Sequence, residues 1–310
     1  MNFIYCLDKN YNTQAIMSFY SLNKVLKKPI KVFVAHNEPK TLIAKIKNFN
    51  FTYLEFHFLE ISNNLNLPNL KNSHVTEATY YRMFAIDLLP VNLEHIIYID
   101  SDILFNKNPI PLFSDLITSL HNSEFTISAN TIGEYETGTE ETKAYFDYLE
   151  MNDKYFNAGV LIYDLIKYNK NQTGQKLKDH LLNFTKEAKY WDQDILNTFF
   201  NGKYIELPET LNNNVITEND SIDMKETLSN TTIHFAGKTK PWHIKGLKYP
   251  VGIYFQEKYK EVFNRNFYIK PYDKRRHLRE LIEFIKNNKD YKFDNKFIFL
   301  LKSTLELFKL

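Results

Sequence analysis

One cysteine in 310 residues leaves nothing for an internal disulfide to pair with. That residue, Cys6, lies in the apolar run FIYCL and reads as a small buried hydrophobe rather than a reactive thiol. Glycine is scarce too. Neither G-x-G-x-x-G nor G-x-x-x-x-G-K-[ST] occurs among eight glycines, so any bound nucleotide must have its phosphates held by something other than a Gly-rich loop. No apolar stretch approaches the ~20 residues of a spanning helix, and no basic segment leads into an apolar core at the start, which predicts a cytoplasmic protein. The net charge is only +2, and no basic run interleaved with aromatics occurs before residue 265, so nucleic acid is not an expected partner. Internal repeats and low-complexity tracts are absent. What is present is apolar material: 44% hydrophobic and 15% aromatic residues can build a large core, in one domain or one domain with an appendage.

The first third alternates. NFIYCLD (2–8), PIKVFVAH (29–36) and TYLEFHFLEI (52–61) read as strands, and the segments 10–28 and 38–49 between them have helical spacing. This β-α-β-α-β pattern predicts a parallel sheet with helices on its faces. TEATYYRMFAIDLLP (76–90) reads as a helix stopped by Pro90. Then comes HIIYIDSDILFNKNP (95–109), in which four apolar residues, Ile96 to Ile99, predict a strand buried on both faces. Asp100 and Asp102 follow it. Were the chain to stay extended there, they would lie on one side, roughly 6 to 7 Å apart. Like charges that close raise each other's pKa unless a metal ion, an Arg or Lys, or a shared proton lies between them. The plainer alternative is that Asp-Ser-Asp is turn chemistry. Ligands of such sheets bind at the carboxyl ends of the strands, where Asp8 and Asp100 both fall. Beyond, residues 129–153 read as a polar loop and a short helix, and GVLIYDL (159–165) as a strand. YWDQDILNTFF (190–200) opens a helix on three polar residues, and TTIHFAGKTKPWH (231–243) sets His234 and Lys240 on either side of a glycine.

Six of these pieces, CLDKNY, TYYR, YIDSDILF, YFNAGVLI, YWDQDILN and IHFAGKTKPWH, stand in an order that resembles family 8 of the retaining glycosyltransferases. That family includes bacterial lipooligosaccharide galactosyl- and glucosyltransferases and glycogenin. The resemblance spans roughly residues 2–245, and six motifs in order are far more specific than one D-x-D. It implies an α/β fold of GT-A type, a Rossmann-like, mostly parallel sheet flanked by helices. The glycosyltransferase domain would be 1–265, with a nucleotide half about 1–110 and an acceptor half about 111–265. It also implies transfer of galactose or glucose from a UDP-sugar donor, with retention, to a glycan or glycolipid acceptor. Asp8, Asn10 and Tyr11 would contact uridine. Asp100, Asp102 and His234 would bind Mn²⁺, with Mg²⁺ as the substitute ion. Gly237 and Lys240 would contact the phosphates, and Arg82, Asn157, Ala158, Asp192 and Gln193 would line the donor-sugar pocket.

The chemistry of that set agrees. Two carboxylates and an imidazole suit Mn²⁺ better than Ca²⁺, and a divalent ion with Lys240 offsets charge on a departing diphosphate. Gln193, which the resemblance places beneath the anomeric carbon, is an amide and a poor nucleophile, so front-face attack is expected, with Asp192 and Gln193 as the catalytic pair. Singly, each residue has a duller reading: Asp192 as a helix N-terminal acid, His234 as a core histidine, Arg82 as a solvated charge, Lys240 as part of a packed turn. Rival functions are a glucosyltransferase acting on protein or capsule glycan, a silent UDP- or glycan-binding module, and a metal-dependent hydrolase.

The tail, 266–310, is different in character. From Lys270 to Leu310 there are eleven Lys or Arg and six Asp or Glu, a balance of 11 − 6 = +5. Leu278, Leu281, Ile282 and Ile285 share one helical face among Arg275, Arg276, Arg279, Lys286 and Lys289, and Phe297, Phe299, Leu300, Leu301, Leu305 and Phe308 follow beside Lys296, Lys302 and Lys309. This resembles a surface-lying anchor for anionic lipid, which would make the protein peripheral on the inner face of the cell membrane. A helical cap or a dimer contact is the alternative.

Overall fold

The computed structural model describes residues 1–61, 80–219, 221–265, 268–270, 276–287 and 296–305, in two compact units, Met1–Asn212 and Asn213–Leu310. The first unit begins as its alternation predicts, with β1 (Asn2–Leu7), α1 (Asn12–Val25), β2 (Ile30–His36), α2 (Pro39–Ile46) and β3 (Leu54–Glu60). α3 (Tyr81–Ala85) runs into a 3-10 turn, Ile86–Leu88, ahead of Pro90. Residues 76–79 of the predicted helix lie outside the described residues. There follow β4 (His95–Ile99), β5 (Ile103–Phe105), α4 (Ile110–His121), β6 (Ile127–Glu134), α5 (Glu140–Leu149), β7 (Lys154–Asp164), α6 (Leu165–Lys170), α7 (Thr173–Asn183), α8 (Asp192–Phe200) and β8 (Ile205–Glu206).

Seven strands form one sheet in the order β3-β2-β1-β4-β7-β6-β8. Only β7 runs against the others. From β1 the chain winds outward through β2 to β3, then returns to the other side of β1 as β4, pairing Phe3 with Ile97 and Ile4 with Tyr98. That reversal makes the carboxyl ends of β1 and β4 a topological switch point, the place where doubly wound sheets bind ligands. Asp8 ends one strand and Asp100 the other. The four apolar residues of β4 are buried, as a strand covered on both faces requires. One large core packs the sheet against its helices, with Ile4, Ile96, Tyr98 and Leu161 from strands meeting Tyr81, Ile86, Leu177 and Leu196 from helices.

One expectation fails. Residues 129–134, read as polar loop, belong to β6, whose sequence ISANTIGE hides a strand in polar residues. The pairing of β6 on both edges supplies what its composition lacks. Its side chains find partners in β8 and the turn after it: Asn130 Nδ2 donates to Leu207 O at 3.1 Å, and Thr131 Oγ1 to Glu206 Oε2 at 2.6 Å.

The second unit holds α9 (Met224–Ser229), β9 (Thr232–His234), a 3-10 turn over Ile244–Lys248, α10 (Pro250–Phe263), α11 (His277–Asn287) and α12 (Lys296–Leu305). Phe235, Trp242 and Phe255 pack as an aromatic trio, with Phe255 5.6 Å from Phe235 and 5.1 Å from Trp242. A second cluster gathers Ile244, Leu247 and Ile269 with Leu281, Phe284 and Phe299 of the tail. The apolar stripe of the tail is therefore divided: Leu281 is 0% exposed and faces protein, while Leu278 and Ile282 are 48% and 43% exposed. Residues 266–267, 271–275, 288–295 and 306–310 of the predicted amphipathic tail lie outside the described residues. Among the described residues, no helix is long and apolar enough to cross a membrane.

This division makes a stability prediction. Leu281→Ala is expected to cost about 2 to 5 kcal/mol through the cavity it leaves, and Leu278→Ala about 0.5 kcal/mol or less, read as urea midpoints. Equal effects would mean that α11 is not packed through Leu281.

Candidate active site

At the carboxyl end of β1, Asp8 caps the turn that follows it. Its Oδ1 accepts from Asn10 N at 2.8 Å and its Oδ2 from Asn10 Nδ2 at 3.2 Å, while Tyr11 N donates to Asp8 O at 3.1 Å. A short 3-10 turn, Lys9–Tyr11, thus delivers the chain into α1. The turn is braced from behind by His36, the last residue of β2. Its Nδ1 accepts from Glu38 N at 2.7 Å, which leaves the proton on Nε2, 2.9 Å from Asn12 Oδ1. Asn12 Nδ2 then donates to Thr41 Oγ1 at 3.0 Å, and burial of the imidazole lowers its pKa. Asp8, Asn10 and Tyr11 are held in one small loop.

At the end of β4 the chain does not stay extended. Ile103 N donates to Asp100 O at 3.3 Å, so Asp100-Ser101-Asp102-Ile103 is a β-turn. Asp suits its first position because its side chain bonds locally. Asp102 is buried and Asp100 half-buried. Asp100 Oδ1 accepts from Tyr98 OH at 2.5 Å and lies 3.0 Å from Arg82 Nη2. Arg82 is 9% exposed, which sets aside the alternative that it is a solvated charge. Its Nη1 donates to Ala158 O at 2.6 Å, its Nε lies 2.5 Å from Asp192 Oδ2, and its guanidinium sits 4.6 Å above the Tyr98 ring. Burial works against the charge, yet Asp100 and Asp192 hold the guanidinium pKa well above its ordinary value. Burial also pushes Asp192 up to about 7, against the pull of Arg82.

Asp192 opens α8 directly after Trp191, whose φ of 51° and ψ of −121° are strained for a residue with a side chain. The next residues stitch α8 to β7. Gln193 Oε1 accepts from Ala158 N at 3.1 Å, and Gln193 Nε2 donates to Tyr155 OH at 3.2 Å. Asn197, one turn on, accepts from Phe156 N at 2.7 Å and donates to Phe156 O at 2.9 Å. Asn157 Oδ1 takes Gly159 N at 2.9 Å and Asn212 Nδ2 at 3.0 Å.

In the second unit His234 is buried at the end of β9, with its backbone tied to Asn213 and Val215 at 2.8 Å each. Gly237 turns the chain at φ +84°, a conformation that favours glycine. Lys240 Nζ donates to Phe235 O at 2.7 Å, and Lys240 N to His243 Nδ1 at 3.1 Å. Burial, then the charges of Lys240 and Lys270, lower the His243 pKa to about 4.

The first unit thus joins Arg82, Asp100, Asp192, Gln193, Asn157 and Ala158 through a few bonds, and gathers Asp8, Asn10 and Tyr11 in a loop of their own. His234, Gly237 and Lys240 share one segment of the second unit. Tyr98, Tyr155, Asn197 and Asn212 escaped the sequence reading. Two of them carried a signal: Tyr155 stands two residues before Asn157, on the same face of β7, and Asn197 one helical turn after Gln193.

The family model for glycosyl transferase family 8 matches residues 2–246. The chain belongs to glycosyl transferase family 8. Over 221 residues it is 28% identical to the lipopolysaccharide 1,2-glucosyltransferase of Escherichia coli K12, a match covering 69% of this chain and 61% of that enzyme. It therefore spans less than two thirds of that relative's length. Over 269 residues it is 28% identical to general stress protein A of Bacillus subtilis, covering 78% of this chain and 87% of that one. Its fold is similar to that of the galactosyltransferase LgtC solved with donor and acceptor sugar analogs, at a TM-score of 0.63 and 20% identity over 84% of this chain and 95% of that chain. The architecture of this family 8 member is the GT-A fold.

Asp192 gives the site a pH signature. With its pKa raised from 3.8 to about 7, the folded chain keeps a proton that the unfolded chain has lost. Stability then falls as pH rises through that interval. Denaturant unfolding in EDTA between pH about 4 and about 7 should show this fall in the wild type and a shallower one in Asp192→Asn. Parallel curves would refute the assignment.

Proposed function

We propose that this family 8 protein transfers a hexose, galactose or glucose, from a UDP-sugar to a bacterial surface glycan of lipopolysaccharide or lipooligosaccharide type, with retention and with Mn²⁺. The observation that carries the reading is the Arg82 guanidinium, clamped between Asp100 of the DSD turn and Asp192 of the DQD turn. It joins three motifs, far apart in sequence, at the switch point where a doubly wound sheet binds nucleotides. The names of the Escherichia coli glucosyltransferase and of LgtC support a hexose and a glycan acceptor. The catalytic domain is 1–265 and the tail 266–310.

Asp8, Asn10 and Tyr11 contact uridine, with Tyr11 stacked on the base. Asp100, Asp102 and His234 would hold the divalent ion. Their chemistry fits it, since two carboxylates and one imidazole are ligands that Mn²⁺ accepts. A divalent ion held there would supply positive charge to offset the negative charge that develops as UDP departs. Gly237 and Lys240 contact the phosphates, and the short bond from Lys240 Nζ to Phe235 O keeps that ammonium in place. Arg82, Asn157 and Ala158 line the sugar. Asp192, tied to Arg82, orients sugar hydroxyls, and Gln193 supports the oxocarbenium-like state. The acceptor hydroxyl attacks from the face that UDP leaves, and its proton passes to the β-phosphate oxygen.

The tail supplies a second contact. The exposed Leu278 and Ile282 of α11 and the exposed Leu301 and Leu305 of α12, with Arg276, Arg279 and Lys286, face an anionic membrane that displays the acceptor.

Two experiments test this function. Calorimetric titration of UDP is expected to show binding with Mn²⁺ that is lost in EDTA and weakened at least about tenfold in Asp100→Asn plus Asp102→Asn. UDP binding indifferent to both would end the donor-site reading. In flotation with phosphatidylglycerol vesicles, Leu278→Ser with Ile282→Ser should lower binding about tenfold or more. Unchanged flotation would remove the membrane contact.

A further inference from the structure

Asp194 has no part in the function proposed above, yet it is 0% exposed and accepts three hydrogen bonds. Its Oδ1 takes Tyr155 OH at 2.6 Å, and its Oδ2 takes Tyr145 OH at 2.8 Å and the backbone Tyr190 N at 2.7 Å. Tyr155 continues the chain, because its oxygen accepts from Gln193 Nε2 at 3.2 Å, and Gln193 Oε1 accepts from Ala158 N at 3.1 Å.

Each link has a fixed polarity. A backbone N–H can only donate, so the Asp194 oxygen beside Tyr190 must accept. A carboxylate offers a second acceptor to Tyr155, whose hydroxyl therefore donates toward Asp194. That hydroxyl keeps its proton, since burial and then Asp194 raise its pKa well above the ordinary value. With its hydrogen committed, the Tyr155 oxygen can only accept, and it selects the NH₂ end of Gln193. The carbonyl end is left at Ala158 N–H, also an obligate donor. Both ends of the relay agree. The second lone pair on Gln193 Oε1 thus lies on the Asn157–Ala158 side, the side assigned above to the donor sugar.

We propose that Asp194 and Tyr155 are positioning residues that fix the direction of the Gln193 amide, so that its oxygen and not its NH₂ faces the reacting sugar. This rests on the reading of Gln193 as the group beside the anomeric carbon. A carbonyl oxygen there favours the positive charge that develops on the sugar, and an NH₂ in its place opposes it.

The polarity argument separates two substitutions. In Asp194→Asn the new amide must turn its oxygen to Tyr190 N–H, which places its NH₂ against Tyr155. Tyr155 then accepts from residue 194, donates toward Gln193 and draws the carbonyl end to itself, so the relay runs backwards. In Tyr155→Phe the relay is cut without being reversed. Asp194→Asn is therefore the worse change, and adding Tyr155→Phe to it rescues activity.

The test measures kcat and KM with UDP-galactose and UDP-glucose, in hydrolysis and with a lipooligosaccharide acceptor. In the same proteins it follows the ¹⁵N-glutamine side-chain resonances, with Gln193 assigned by its loss in Gln193→Ala. Tyr155→Phe is expected to lower kcat about tenfold and Asp194→Asn about a hundredfold. The double variant should return to the rate of Tyr155→Phe, with donor KM within about twofold throughout. The Gln193 NH₂ pair should move in both single variants. A double variant no faster than Asp194→Asn would overturn the proposal and would point to Asp194 acting directly. Gln193 resonances unmoved in both single variants would overturn it as well, whatever the rates. A wild-type chain that turns over neither sugar nucleotide would count against the transferase reading, and the resonances would still decide the relay.

Discussion

A guanidinium taken out of water must be answered by charge, and the first unit is arranged around that demand. Arg82 reaches Asp100 at the end of β4, Asp192 at the start of α8 and the carbonyl of Ala158 in β7, over the ring of Tyr98. One side chain thereby joins two strands and a helix to α3. Removing one partner of a buried pair costs roughly 3 to 5 kcal/mol, so the clamp constrains several segments at once. Its geometry also divides labour between the two DSD carboxylates. Asp100 is engaged by a cation and a phenol, and Asp102 is drawn inward by the turn, so the pair presents unlike environments despite their spacing in sequence.

How much of this could be read in the sequence follows from how local each signal is. β1, β2 and β4 announce themselves because strands buried on both faces are written in uninterrupted apolar residues, and Asp8 and Asp100 fall at their ends by simple counting. β6 does not, because Asn130 and Thr131 are satisfied by Leu207 and Glu206, some seventy residues on, and such partners leave no local mark. Arg82, taken alone, gives no local sign of its burial for the same reason. Its neighbours Tyr81 and Met83 are buried with it, and the two acids that justify the burial come from other segments. The Asp-Ser-Asp stretch held both its readings at once: it is a β-turn, and the turn brings one of its carboxylates to Arg82. In the tail, helical spacing found the apolar face of α11 and could not see that Leu281 is taken by Ile244 and Leu247 while Leu278 and Ile282 are left outside.

Polar bonding takes over where the chain leaves regular geometry. Trp191 holds a φ of 51° immediately before α8, a conformation that persists only if the surroundings over-determine it. They do. Asp192 is tied to Arg82, Gln193 to Ala158 and Tyr155, Asp194 to two tyrosines and a backbone amide, and Asn197 to both backbone groups of Phe156. Such a network is worth having only when complete, since each missing partner leaves a buried group unsatisfied.

The same bonding bears on the retention proposed for this chain. A double displacement needs a carboxylate free to approach the anomeric carbon. Within the first turn of α8 there are two candidates, and each is committed. Asp192 would have to leave the guanidinium that balances it, uncovering a buried cation. Asp194 would have to give up three donors at once, one of them a backbone N–H with no other acceptor among its described bonds. Gln193, between them, keeps one lone pair and one N–H for a ligand after its two anchoring bonds are made. An amide so held can stabilise a passing charge and cannot easily trap it as an adduct. For the retaining transfer proposed above, the bonds in α8 favour attack from the face of the leaving group, because a double displacement would dismantle the interactions that hold these side chains.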